Sequence, residues 1–341
     1  MIVIKILVAL LFFGFMILSH EFGHYITARI FKVGINEFAI GMGPKLLSKT
    51  SKKTGIVYSL RAIPIGGFVS LVGEDEENDR EDSLNKKAWW KRFIILGAGS
   101  FMNILTAVVA MFILLSLSPY YPSTTLAEVE SSVLAEYGAA EYDKIVEIDG
   151  EKMSVFQDVS YKIASDGAEP LDITVERDGK EIVLEDVQFK TEEVEGILCG
   201  VIDFKVYAKE KTFGTLVKEA FMQSFSTIKI IYSSIADLFT GKYGLEAVSG
   251  PVGTVNVIAE SVSLGFESIL YLFVFISMNL GIFNLLPIPA LDGGRLIFVI
   301  IEAIRGKPIK PEHEGIVHAV GMIILLAFMA VVVVSDIIKL I

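Results

Sequence analysis

Four stretches of this chain carry almost no charge. Ile2–Leu18 is apolar apart from Lys5 and Gly14, and Phe93–Ala127, Ser268–Leu291 and Gly315–Ser335 contain no Lys, Arg, Asp or Glu. A helix of about 20 apolar residues crosses ~30 Å of hydrocarbon. Each stretch therefore reads as a transmembrane helix, and the expected fold is a polytopic α-helical membrane protein with four spans. A mean hydropathy of +0.58 excludes disorder and an ordinary soluble protein. The net charge of −11 argues against a nucleic-acid partner. The single cysteine, Cys199, excludes a disulfide framework and a Cys-rich zinc site. A cleaved signal peptide is an alternative for the first stretch, but Ser19-His20-Glu21 follows it instead of a small-x-small site.

The connections set an expected orientation. Arg29–Arg92 holds 12 basic and 8 acidic residues, a net of +4, whereas Pro119–Thr212 holds 9 basic and 22 acidic, a net of −13. The first and third connections are expected in the cytoplasm, and the acidic insert and both termini outside. Within the insert, Asp143–Gly150 and Leu171–Gly179 alternate and end in turn dipeptides. Lys180-Glu-Ile-Val-Leu184 is the hairpin return, and Phe156–Ser165 suits a short helix. This describes a small α+β module. Phe213–Thr240 is apolar with Lys218, Lys229 and Asp237 interspersed. It suits an amphipathic helix on the membrane surface, because a central lysine in a fifth span costs roughly 3 kcal/mol. The expected divisions are 1–118, 119–212, 213–262 and 263–341.

His20-Glu21-Phe22-Gly23-His24 is an H-E-x-x-H motif at the end of the first apolar run. Positions i and i+4 share one face of a helix, so both imidazoles can reach one Zn²⁺, with Glu21 beside them to take a proton from a zinc-bound water. Ionisable groups at membrane depth are expensive and usually functional. A catalytic zinc site takes three protein ligands. His313 lies in a charged loop and His318 enters the fourth span, so Asp292 is the better third candidate. It follows Asn284-Leu-Leu-Pro-Ile-Pro-Ala-Leu291, where Pro287 and Pro289 break the helix, and precedes Gly293-Gly294. The alternative for Asp292 is a helix cap. Depth supports the pairing. His20 lies ~27 Å down an inward-running first helix, and Asp292 follows ~24 residues of an inward-running third. A fifth span at Phe213–Thr240 would put Asp292 at the opposite face.

These residues resemble the site-2 protease family of intramembrane zinc metalloproteases, in particular the bacterial regulator-of-sigma-E type with a PDZ insert. The resemblance rests on His20-Glu21-x-x-His24, Gly41-Met-Gly-Pro-Lys45, Ile63-Pro-Ile-Gly-Gly-Phe-Val69, Gly73-Glu74, Trp89–Asn103, Ser249-Gly-Pro-Val-Gly253 and Asn284-x-x-Pro-x-Pro-x-Leu-Asp292-Gly. It implies His20, His24 and Asp292 as zinc ligands and Glu21 as catalytic base. It implies that the insert at 119–212 is PDZ-like and that Gly66 and Gly67 belong to a membrane-dipping β-hairpin. Asn284 and Asn103 are implied to serve substrate binding or its support. The implied function is cleavage, inside a bacterial inner membrane, of single-span proteins such as anti-sigma factors or signal-peptide remnants. Ser70 stands where the family usually has a basic residue, and no Gly-Pro precedes Asn103.

Cleavage requires an unwound substrate whose backbone groups find partners, and an edge strand supplies them. Gly55–Gly73 is the candidate, as two short strands about a Pro64-Ile65-Gly66-Gly67 turn, and an ordinary interfacial hairpin is the alternative. A reading from another class is a catalytically silent, PDZ-bearing membrane adaptor that keeps zinc structurally. The intact Glu21 argues against it, since a structural site needs no base.

Overall fold

The computed structural model describes residues 2–74, 79–194, 197–242, 244, 250–307, 309 and 311–339. Ser249, part of one motif above, and Lys310 of the third connection lie outside them. The chain divides into two compact units, one made of residues 1–110 and 237–341 and the other of residues 111–236.

The first unit opens with α1 (Ile2–Ile30), followed by β1 (Ile35–Thr50) and β2 (Val57–Leu71), and then α2 (Trp89–Leu117), which runs into the second unit. Small residues let these helices approach closely, as they must where apolar lipid gives no hydrophobic drive to association. A Cβ at Gly23 would lie 2.3 Å from the Ala98 carbonyl oxygen, so α1 and α2 touch backbone to backbone there. The Ser19 and Thr106 hydroxyls join the same pair of helices at 2.7 Å.

β1 and β2 form an antiparallel hairpin. Its register differs from the expected two strands about residues 64–67. Ile56–Ile63 and Phe68–Val72 do not pair with each other. Phe38, Ala39 and Ile40 of β1 lie between them, facing Tyr58, Ser59 and Leu60 on one side and Val69, Phe68 and Gly67 on the other. The physical reason is a bend in β1, where Gly41 and Gly43 take φ of 85° and 82°, a region that favours glycine. Gly67–Leu71 is thus an outer segment, paired only to the start of β1. Glu37 ties the sheet together, accepting from Lys45 at 2.8 Å and Arg61 at 2.9 Å and from the Ser59 hydroxyl. Burial raises its carboxyl, but these three partners outweigh burial and hold it down at about 2.

The second unit is an α+β module. It contains β3 (Tyr121–Leu126), the single turn α3 (Val133–Glu136), β4 (Lys144–Ile148), β5 (Glu151–Lys152), α4 (Phe156–Asp166), β6 (Leu171–Arg177) and β7 (Lys180–Val187). A hairpin of β8 (Lys190–Val194) with β9 (Ile197–Val201), then β10 (Val206–Lys209) and α5 (Phe213–Thr240), complete it. The main sheet runs β10-β3-β4-β6-β7, with β5 paired to β4. Ile145, Ile148, Ile173 and Val175 are fully buried against Val159 and Ile163 of α4; Ile145 and Ile148, three residues apart, both face inward because a register shift between Ile145 and Glu147 interrupts the expected alternation. Asp143 is also fully buried, held by a bidentate Arg177 with both contacts at 2.7 Å.

α5 turns its polar face to this module. Glu219 pairs with Lys209 at 2.9 Å, Thr227 accepts from Gln157, Ser234 meets Tyr161, and Lys229 lies 3.7 Å from Asp158. Phe213, Phe221, Phe225 and Tyr232 of α5 remain exposed. The stretch 213–262 is therefore divided. Its first helix belongs largely to the second unit, and α6 (Pro251–Leu264) belongs to the first, where Ile258 packs on Ala9, Phe12 and Met16 of α1.

The first unit ends with α7 (Phe266–Leu285), α8 (Asp292–Arg305) and α9 (Pro311–Lys339). Among the described helices, those within α1, α2, α7 and α9 are long and apolar enough to cross a membrane, and α5 is not one of them. α7 closes on α2 through Gly281, whose Cβ would lie 3.0 Å from the Ser100 carbonyl oxygen, and through Ser277, which donates to the Asn103 carbonyl at 3.0 Å. A buried Arg92–Glu302 ion pair joins the start of α2 to α8.

Candidate active site

His20 and His24 are one helical turn apart on α1 and point into the angle between α1 and α2. One face of α2 receives them at positions 95, 99 and 103, which recur every four residues. The His24 Nδ1–H donates to the Ile95 carbonyl at 2.8 Å. A carbonyl can only accept, so Nδ1 carries a proton, and in the neutral ring Nε2 is left bare. His20 Nδ1 lies 3.2 Å from the side-chain amide of Asn103, which is fully buried. The near atom is Asn103 Nδ2, and the amide oxygen has no partner among the described residues. With the amide turned so that its oxygen takes the place of Nδ2 and accepts from His20 Nδ1–H, Nε2 of the neutral ring is bare as well. Asn103 thus stands behind a histidine.

Asp292 arrives from the other end of the chain. Pro287 and Pro289 end the helical run, and α8 starts at Asp292 with Leu291 as its N-cap and no side-chain capping bond. Asp292 Oδ2 has no hydrogen-bond donor among the described residues, so that oxygen is not spent on the cap. It lies 3.1 Å from His20 Nε2 and 3.4 Å from His24 Nε2, and the two Nε2 atoms are 3.2 Å apart. Gly293 and Gly294 allow this approach, since Cβ atoms there would lie 2.0 Å and 2.6 Å from the Leu286 and Ile288 carbonyl oxygens.

Two imidazole nitrogens and a carboxylate oxygen turned toward one point are, with both rings neutral, the donor set of a divalent cation. Their separations fit one. Ligands at ~2.0–2.1 Å from a tetrahedral Zn²⁺ stand ~3.3–3.4 Å from each other. Among the described residues this is the group of three His, Cys, Asp or Glu side chains able to hold a metal. α2 leaves room for it at Gly99, where a Cβ would lie 2.3 Å from His24 Nε2 and 2.6 Å from His20 Nε2. Gly99 does not stand out in the sequence. A usable signal was its place one turn before Asn103, on the same face.

Glu21 lies on α1 beside the imidazoles, where the outer strand of the sheet covers it. A Cβ on Gly67 would lie 3.5 Å from Glu21 Cγ. Gly66, at φ 92°, belongs to the adjoining bend and packs on Met42. Asn284, on the last turn of α7, is half-buried, and its side-chain amide has no protein partner among the described residues. His313 is exposed at the start of α9, and His318 Nδ1 is turned to the Ala290 N–H, so neither joins the cluster.

Comparison with known proteins gives the family. Residues 8–328 match the model of peptidase family M50. A Fusobacterium nucleatum protein, a candidate zinc metalloprotease, is 39% identical over 342 residues, covering 98% of each chain. The zinc metalloprotease RasP of Oceanobacillus iheyensis is 29% identical over 416 residues, covering 96% of this chain and 97% of its own. The regulator of sigma-W protease RasP of Bacillus subtilis is 29% identical over 422 residues, covering 99% of each. A full-length match of this extent, over an H-E-x-x-H helix and four apolar helices, shows that this chain belongs to peptidase family M50, as a multi-pass membrane zinc metalloprotease.

Proposed function

We propose that the enzyme is an intramembrane endopeptidase that cuts the transmembrane segments of single-span membrane proteins. His20, His24 and Asp292 hold its zinc and Glu21 is its catalytic base. The observation that carries this reading is the meeting of those three donors within 3.4 Å, beside a glutamate and under an open strand edge. Zinc bound there supplies Lewis-acid polarisation of the scissile carbonyl and lowers the pKa of a water. Glu21 takes the water's proton and passes it to the leaving amine.

A peptide bond in a helix must be extended before it can be attacked, and lipid offers no partners for the freed backbone groups. Gly67–Leu71 has one strand neighbour and lies against Glu21, so a substrate strand added to it would run past the base. Glycine at position 67 keeps a side chain out of that path. The unpartnered Asn284 amide, beside the broken helix that carries Asp292, clamps a substrate carbonyl.

Net charge supports an orientation with the 1–118 loops and the site near the cytoplasmic side of a bacterial membrane, and with both termini and the PDZ-like 119–212 insert outside. The insert acts as a docking or size filter. The sigma-W regulator's name supports substrates of the anti-sigma type, with signal-peptide remnants as a second class. The test is cleavage of a single-span substrate by zinc-loaded protein in liposomes. Glu21→Gln should keep one zinc per chain and lose on the order of 10²–10⁴ in rate. Unimpaired cleavage by that variant, or cleavage only outside the span, would refute the reading.

A further inference from the structure

Asp292 leaves the Pro-rich turn from a residue under strain. Ala290 has φ 80°, a left-handed conformation costly for any residue with a Cβ. Such a residue persists only where its surroundings over-determine it. Those surroundings come from α9. The Ala290 N–H donates to His318 Nδ1 at 2.9 Å. Accepting there requires the ring proton on Nε2, and Nε2 faces Glu314 Oε1 one turn earlier, at 3.9 Å. The carboxylate favours the tautomer in which Nδ1 can accept. One turn from His318, Gly321 meets the turn itself: a Cβ there would lie 2.3 Å from Pro289 Cβ and 2.8 Å from its carbonyl carbon and oxygen. The far end of α9 is anchored independently. Buried Asp336 accepts from the Gly250 and Gly253 N–H groups at 3.1 Å and 2.8 Å, seating the start of α6.

We propose that α9 is the clamp of the metal-bearing turn, with His318 and Gly321 as positioning residues that hold Ala290 in its strained conformation and so aim the Asp292 carboxylate at the two imidazoles. This rests on Asp292 being a zinc ligand. The side chain of His318 never meets the metal. It acts through one backbone N–H, two residues before the ligand.

The test measures zinc affinity by chelator competition on the purified full chain in detergent, with thermal unfolding alongside. His318→Leu removes the acceptor, and zinc affinity should fall about ten- to a hundredfold, the range for residues that orient ligands. His318→Asn puts an amide oxygen where Nδ1 stood and should recover most of the loss. Ala290→Gly takes φ 80° without strain and should rescue affinity in the His318→Leu background, which a role in bulk packing would not produce. Gly321→Ala should weaken zinc without touching His318, and it carries the test if His318→Leu fails to fold. Asp292→Asn runs in parallel. If it keeps wild-type zinc affinity, the ligand assignment fails. If it loses zinc while the folded His318→Leu and Gly321→Ala proteins bind within twofold of wild type, the clamp alone is overturned. Failure of both His318→Asn and the added Ala290→Gly to restore affinity would also overturn it.

Discussion

Gly99 is the position where a single methyl group should separate the fold from the metal. Its ideal Cβ falls 2.3 Å from His24 Nε2, 2.6 Å from His20 Nε2 and 2.7 Å from His20 Cε1, against ordinary contacts of ~3.5 Å. Relief requires a movement of about 1 Å by the rings or by α2. The rings are tied, His24 to the Ile95 carbonyl and His20 to Asn103. α2 is in backbone contact with α1 at Gly23 and with α7 at Gly281. Overpacking of a tight site costs about 1–3 kcal/mol. If the cost falls on the metal-competent arrangement, zinc affinity in Gly99→Ala drops about 5- to 150-fold. Gly97→Ala is the control on the same helix, since its Cβ would meet only Leu296 Cδ1, at an ordinary 3.8 Å. Chelator competition and metal counting on purified protein read the effect. Wild-type zinc affinity in Gly99→Ala, or an equal loss in Gly97→Ala, would refute the account of α2 as the wall of the metal site.

Asn103→Leu leaves a buried imidazole N–H without an acceptor, a penalty of about 1–3 kcal/mol, and zinc affinity should fall while Asn103→Asp retains it; equal affinities in all three proteins would remove Asn103 from the support of His20. Asn284→Ala should lower kcat/KM for a membrane substrate and leave zinc content and melting unchanged; a loss of zinc would show a structural role instead. In the second unit, burial raises the Asp143 carboxyl, but Arg177 and the Ala140 N–H outweigh it and hold the group below the usual carboxylate range. A depressed carboxyl adds stability above its unfolded pKa of ~3.9, and that stability is lost as pH falls through the folded value. Arg177→Leu should therefore cost about 1–3 kcal/mol at neutral pH, discounted for the half-exposed guanidinium, and progressively less as the pH falls below ~4. Hydrogen exchange of β4 and β6 checks this, and a penalty independent of pH would contradict it.

The transmembrane helices were readable because lipid forbids charge along ~30 Å, a constraint written into every residue of a span. The His20, His24 and Asp292 assembly was readable for a related reason, since the i, i+4 spacing and the Pro-broken turn are local patterns. What escaped depends on contacts far apart in sequence. The pairing of β1 between the two halves of β2 follows from glycine bends at 41 and 43, and residues 56–72 alone suggest a hairpin that closes on itself. The amphipathic character of Phe213–Thr240 was visible, but nothing in it says that Glu219 and Thr227 meet Lys209 and Gln157. His318 looked unremarkable because its partner, the Ala290 N–H, lies 28 positions away and is a backbone group.

The donors of the metal cluster come from opposite ends of the polypeptide, two from the first helix and one from the eighth. Translation runs at ~5–20 residues per second, so the second histidine leaves the ribosome about 13–54 s before the aspartate does. Through that interval a nascent chain offers the metal two imidazoles and no third donor. With His20, His24 and Asp292 as the proposed zinc ligands, the protease would be inert while it is being threaded into the bilayer, and a product that terminates before the Pro-rich turn would be unable to attack its neighbours.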